Sequence, residues 1–191
     1  MSVTGVILAA GESRRMGSAK ALLRYRGETF LDTLVGLFSE RCAPVIVVLG
    51  AGADEIRRRA ARPARFVVNP DYARGMTSSL KCGLEAAPAE SEGVLLTLVD
   101  HPAVAGLTLD ALLAVPRPLV RVPRYGDERG HPIWFRRELI PEFLALSDGG
   151  AANQVVHRHR VETEFLDLDD FGIVADVDDP EAYRKLMGRA V

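Results

Sequence analysis

The chain has 191 residues, 48% hydrophobic and 26% charged, with 24 basic and 26 acidic side chains and a formal net charge of −2. That length predicts one domain over residues 1–191 with enough chain to bury a substantial core. The balanced charge excludes the basic surplus of a general nucleic-acid binder, and no apolar run approaches the roughly 20 residues that cross a membrane.

The apolar run Val3–Ala9 predicts a buried first strand. Met1-Ser2 leads straight into it, so no leader is expected and the cytoplasm is the expected compartment. Thr29 is a candidate N-cap for a helix running to about Arg41, with Asp32 as its capping-box partner. Val45–Leu49 reads as a strand, Ala53–Ala61 as a helix and Arg65–Val68 as a third strand. Ser78–Ala87 follows as a helix with Leu80, Leu84 and Ala87 on one stripe. Gly93–Val99 is the expected central strand, Leu107–Ala114 a helix and Leu119–Val122 another strand. Short strands that are apolar on both faces and alternate with helices indicate a parallel sheet in an α/β fold.

The last third is less regular. Arg137–Leu146 and Ala151–His159 read as helices, and Thr163–Leu168 and Ile173–Ala175 as short strands. Asp179-Pro180 opens a final helix, with Asp as N-cap and Pro at the first helical position. Arg57, Arg58, Arg59 and Arg62 read as a solvated helix face, and Cys42 and Cys82 as free thiols in a reducing compartment. His157, Arg158 and His159 read as solvated polar residues, because alternate helix positions point apart.

The chemistry concentrates after the first strand. Residues 10–20 are small, glycine-containing and basic. Such a loop brings backbone N–H groups close to phosphate oxygens, and Arg15 and Lys20 add positive charge. The plain alternative is an ordinary βα turn with two surface cations. A Walker A loop is excluded: Gly11 and Gly17 are one residue too far apart, and Ala21 follows Lys20 where a hydroxyl would be needed. A dinucleotide fingerprint is excluded by the missing G-x-G and by the absence of an acid after Leu49-Gly50, which leaves a nicotinamide oxidoreductase with little support.

The segment Leu8-Ala9-Ala10-Gly11-x-Ser13-x-Arg15-Met16-Gly17-x-x-Lys20 resembles the L-A-A-G-x-S-x-R-M-G-x-x-K signature of the MobA-like NTP transferases. The resemblance implies a three-layer α/β sandwich with a mostly parallel, Rossmann-like twisted sheet, of the nucleotide-diphospho-sugar transferase type. It implies that Leu8, Ala9, Ala10, Gly11, Arg15 and Lys20 bind the nucleotide, with Arg15 and Lys20 on the triphosphate. Asp100-His101-Pro102 resembles the family's G-D-x-P segment, whose Asp holds Mg²⁺; Val99 stands where the family carries Gly. Asp178 resembles a second metal ligand, the alternative being an acidic helix N-terminus. Asn69 to Ser79 resembles N-x-x-(Y/W)-x-x-G-M-x-x-S, which implies that Gly75 and Ser79 contact the base; helix capping by Thr77 or Ser78 is the alternative. Gly130-His131-Pro132 and Ser147-Asp148-Gly149-Gly150-Ala151 resemble acceptor-side motifs, which implies acceptor contacts at His131 and Asp148 or else structural roles.

The expected reaction is nucleotidyl transfer: an acceptor phosphate attacks the α-phosphorus of an NTP and pyrophosphate leaves. An ionised phosphate nucleophile needs no general base, so charge neutralisation by Arg15, Lys20 and a metal on Asp100 carries the chemistry. The methyl of Ala10 crowds a purine more than a pyrimidine, which favours CTP, and the resemblance names molybdopterin as acceptor. A molybdoenzyme or its maturation chaperone is the implied recipient. GTP or a sugar or alcohol phosphate as substrate, and a non-catalytic cofactor-binding accessory protein, remain the alternatives.

Overall fold

Apolar side chains on both faces of Val3–Ala9 place that segment in the middle of a sheet, and all seven of its residues are buried. The structure, a computed structural model, describes residues 2–147 and 149–189. In chain order these form β1 (Val3–Ala9), β2 (Arg24–Tyr25), β3 (Glu28–Thr29), α1 (Phe30–Ser39), β4 (Val45–Leu49), α2 (Ala53–Arg59) and β5 (Arg65–Val68). Next come α3 (Met76–Glu85), β6 (Gly93–Leu98), α4 (Gly106–Leu113), β7 (Val120–Tyr125), β8 (Glu128–Arg129) and β9 (Ile133–Arg136). The chain ends with α5 (Ile140–Leu144), α6 (Asn153–Arg158), β10 (Thr163–Asp167) and α7 (Pro180–Arg189).

The main sheet has the order β10-β7-β9-β6-β1-β4-β5, with β8 paired to β7. β1 runs parallel to β4 and β6, and β4 parallel to β5. β9 is antiparallel to both β6 and β7, and β10 is parallel to β7. The register sets Ile7 opposite Val47 and Thr97, so Ala9, Leu49 and Leu98 end at one edge. Ligands bind open α/β sheets at that edge.

Period-2 alternation splits the core between the two faces. Ile7, Val47, Leu49, Leu95 and Trp134 pack with Phe30, Leu34 and Phe38 of α1, Leu109 of α4 and Leu186 of α7. Val6, Leu8, Ile46, Val48, Val94 and Leu96 pack with Leu80 of α3, Phe143 of α5 and Val155 of α6. The result is the expected three-layer α/β sandwich. No helix among the described residues is long and apolar enough to cross a membrane.

Several sequence readings need correction. Asp32 is the partner of Thr29, but through the hydroxyl, accepting from Thr29 Oγ1 with its Oδ2 at 2.7 Å. Thr29 does cap α1, accepting from the Asp32 N–H at 3.0 Å. The Asp32 carboxylate, however, accepts from the backbone N–H groups of Ala61 and Arg62 at 2.9 and 3.0 Å, pinning the segment after α2. Ile173–Ala175 is not a strand: Phe171–Ile173 forms a 3-10 turn held by the Asp170 side chain, which accepts from Gly172 N. The helix expected over 137–146 opens as a 3-10 turn, Arg137–Leu139, before α5. Both cysteines are free as expected, and burial pushes the Cys42 thiol up to about 12. Asp179 caps α7 as expected, accepting from Glu181 N and Ala182 N.

Candidate active site

The loop after β1 is closed by its own residues. Ser13 sits at φ 51 and Gly17 at φ 68, two left-handed positions that fold the loop back. Met16 N donates to Ser13 O at 2.9 Å, and the Ser13 hydroxyl accepts from Lys20 N at 3.0 Å. Ala21, 2% exposed, anchors the short 3-10 turn Lys20–Leu22 in the core. The backbone at Lys20 is therefore fixed while its side chain reaches across the sheet edge.

Two other segments meet it there. Val99 N donates to Leu8 O, which sets Asp100 beside the end of β1. Val177 N donates to Asp100 O at 3.0 Å, which brings Asp178 alongside although 78 residues separate the two acids. Lys20 Nζ then lies 3.0 Å from Asp100 Oδ2 and 2.5 Å from Asp178 Oδ1, and Arg15 Nη2 is 2.7 Å from Asp178 Oδ2. Burial pulls the Lys20 ammonium down, but the two carboxylates outweigh it and hold its pKa above the ordinary value. The hydrogen bond from Lys20 holds the Asp178 carboxyl below its usual range. The structure thus brings together the four residues picked as phosphate and metal groups, with Arg15 the most exposed of them.

A cavity of about 340 Å³ opens over this cluster. The loop lines it through Leu8, Ala9, Ala10, Gly11 and Arg15, and Gly75 and Ser79 face it from the other side. Val99 also lines it, where a smaller residue would leave more room. Gly75, at φ 106, starts α3 without a side-chain cap. Ser79 is buried, and its hydroxyl accepts from Asn69 Nδ2 at 3.0 Å. Asn69 also donates to Ser78 Oγ and accepts from Asp71 N, so it ties the end of β5 to the start of α3. Neither Thr77 nor Ser78 caps the helix: Thr77 donates to Gly150 O, and Ser78 donates to Gly75 O and Asp71 O.

One observation fits a divalent cation at the cluster. Asp100 Oδ1 is buried without a hydrogen-bond partner, so one carboxylate oxygen is left for a ligand. Among the described residues no group of three or more His, Cys, Asp or Glu is placed to hold a metal. A cation on Asp100 and Asp178 would therefore complete its shell with phosphate oxygens and water, the habit of Mg²⁺.

A second cavity of about 1000 Å³ adjoins the first, and Leu8, Gly75, Met76 and Leu98 line both. His131, Gly149, Gly150 and Ala151 line the second, which places both acceptor-side motifs on one hollow. Asp148 itself lies outside the described residues. The His131 ring packs 5.1 Å from that of His101, which is 5% exposed. Burial lowers His101, and burial with the neighbouring His101 lowers His131 to about 4. Because the folded pKa of His131 lies below its ordinary 6.5, protonation favours the unfolded chain. Folding stability is expected to be level above pH 6.5 and to fall as the pH drops towards 4. Denaturant midpoints across that window should fall less steeply in His131→Asn.

Sequence reasoning missed His101, Asp176, Arg129 and Arg160, which also line the larger cavity. No local motif marks them; sheet order brings them together. His157 faces the same cavity, while His159 sits between Glu142 and Glu162 and Arg158 pairs with Glu142. Arg158 and His159 are thus engaged with carboxylates rather than merely solvated. Arg57, Arg58 and Arg59 are exposed on α2 as expected, whereas Arg62 lies beyond the end of that helix and pairs with Glu28 at 2.8 Å.

Comparison with known proteins agrees with this geometry. The family model described as the MobA-like NTP transferase domain matches residues 5–163. Nicotine blue oxidoreductase of Paenarthrobacter nicotinovorans is 35% identical, the match covering 97% of this chain and 96% of that one. Molybdenum cofactor cytidylyltransferase of Escherichia coli K12 is 26% identical over 93% of this chain and 92% of that one. The crystal structure of Rv0371c from Mycobacterium tuberculosis H37Rv superposes with a TM-score of 0.87 at 34% identity, covering 98% of both chains. The same protein's complex with manganese superposes at 0.81, with 32% identity, over 98% of this chain and 99% of that one.

Proposed function

This chain belongs to the MobA-like NTP transferase family, and on that premise we propose that it transfers CMP from CTP to the terminal phosphate of molybdenum-bearing molybdopterin. The observation that carries the reading is the Lys20–Asp100–Asp178 cluster, which lines the smaller of two adjoining cavities. The smaller takes the nucleotide, with its base against Gly75 and Ser79. The larger takes the acceptor, beside His131 and the loop that contains Asp148. Residues 1–191 act as one nucleotidyltransferase domain.

In the transfer, an oxygen of the acceptor phosphate forms a bond to the α-phosphorus. The bond from that phosphorus to the bridging oxygen breaks, and pyrophosphate leaves with the electron pair. Arg15 and Lys20 neutralise the charge gathering on the leaving group. Asp100 and Asp178 would hold Mg²⁺, which when bound supplies Lewis-acid stabilisation of the phosphoryl oxygens. The loop's backbone fixes the triphosphate in line with the acceptor. The manganese complex of Rv0371c supports divalent-metal use. The product passes in the cytoplasm to a molybdoenzyme or its maturation chaperone.

The choice of CTP rests on Ala10, which is among the residues lining the nucleotide cavity, and on the relative named a cytidylyltransferase. Ala10→Gly is expected to raise GTP use relative to CTP by about tenfold, the value of roughly one methyl group in a pocket. Pyrophosphate release with CTP, GTP, ATP and UTP in parallel checks this. An unchanged ratio removes Ala10 from the specificity argument.

The relative named nicotine blue oxidoreductase favours a second reading, an oxidoreductase whose substrate enters the larger cavity. An oxidoreductase releases no pyrophosphate, and one that draws on NADH or NADPH would consume it, so the two readings separate in one assay.

A further inference from the structure

The carboxylates that would hold a metal already hold a cation. One ammonium, that of Lys20, bonds both Asp100 and Asp178, and Arg15 adds a second positive charge on Asp178. The two acids are therefore balanced charge for charge by the two bases. Lys20 and Asp100 are only 13% and 15% exposed, so water screens the ammonium poorly. A free divalent ion approaching these oxygens meets like charge at close range. A metal triphosphate brings more negative than positive charge, and its oxygens offer the ammonium a new partner.

We propose that Lys20 occupies the metal position in the nucleotide-free protein, keeps free divalent ions out, and yields Asp100 and Asp178 only to a metal arriving with a triphosphate. The proposal rests on the reading that these two acids hold the metal during nucleotidyl transfer. The fixed backbone of Lys20, held through the Ser13 hydroxyl, means that the exchange needs only a swing of the side chain. It also explains why a charged residue of that length stands there: the loop anchors its root while the tip serves two partners in turn. Metal and nucleotide then enter together.

The test is Mn²⁺ uptake without nucleotide, read from loss of the free-ion paramagnetic resonance signal. Wild type and Lys20→Arg, which both keep the positive charge, should bind weakly. Lys20→Gln should bind about tenfold to a hundredfold more tightly, the range of an ordinary coupling between sites. The gain should vanish in the Lys20→Gln, Asp100→Asn double variant. Equal weak binding by Lys20→Gln and wild type, with CTP still promoting Asp100-dependent uptake, overturns the proposal and leaves the metal reading standing. No CTP-promoted uptake in any of these proteins overturns both. Melting of wild type gives a readout that needs no variant: Mn²⁺ with CTP should raise the midpoint and Mn²⁺ alone should not. A full rise with Mn²⁺ alone overturns the proposal.

Discussion

Asp100→Asn is expected to lower metal-dependent pyrophosphate release by about 10³-fold, roughly 4 kcal/mol of transition-state stabilisation. The side chain keeps its shape but loses the charge that would hold the metal, and its buried Oδ1 has no hydrogen-bond partner to lose. The fold should survive, because Lys20 retains Asp178 at 2.5 Å and Asp100 is held by its backbone, which accepts from Val177 N. Melting midpoints should stay within a few degrees of wild type, so the loss would be one of chemistry. Asp179→Asn is the matched control one residue beyond Asp178. It caps α7, and Asn serves as well at an N-cap, so activity and stability should both hold. Equal loss in the two variants would mean that the acidic segment matters only for helix α7.

Trp134→Ala should produce the largest loss of stability. The ring is fully buried in β9, the antiparallel strand between β6 and β7, and packs with the α1–α4 side of the core. Its Nε1 donates to Pro118 O at 3.1 Å, and the Arg117 guanidinium lies 5.5 Å above it. Removing so large a buried side chain costs about 3–5 kcal/mol through lost burial and the cavity left behind. For a chain of this size that is a fall of about 10 °C in Tm. Trp134→Phe keeps most of the packing but leaves the Pro118 carbonyl unpaired, a loss of about 1 kcal/mol. Denaturant midpoints would order the three proteins. If Trp134→Ala melted like wild type, β9 would not be the element that joins the two halves of the sheet.

The parallel half of the sheet was legible because its strands are apolar on both faces. The bounds of β1, β4 and β5 follow from the sequence alone. Ile133-Trp134-Phe135 is just as apolar, but it is short and its antiparallel pairing depends on β6 and β7, which no local pattern announces. The two-residue strands β2 and β3 are too short to show a period. Ile173–Ala175 misled for the opposite reason: it is apolar because it is buried, and Ile173 O receives His131 N rather than a neighbouring strand. At the site, Lys20 and Asp100 could be picked individually, since each follows an apolar strand. Asp178 was paired with Asp100 only through the resemblance, and its bond to Lys20 was not legible, because 158 residues separate the two and only sheet order and the Val177 hydrogen bond bring them together. His101 escaped notice because burial, not spacing, makes it unusual.

The most direct test follows the α-phosphate. The protein is incubated with Mg²⁺, molybdenum-loaded molybdopterin, NADH and CTP labelled at the α-phosphorus, and products are separated. Cytidylyl transfer puts the label in a pterin–cytosine dinucleotide, with one unlabelled pyrophosphate per product and no consumption of NADH. Label remaining in CTP would contradict it, most sharply if NADH were consumed once an oxidised acceptor was added.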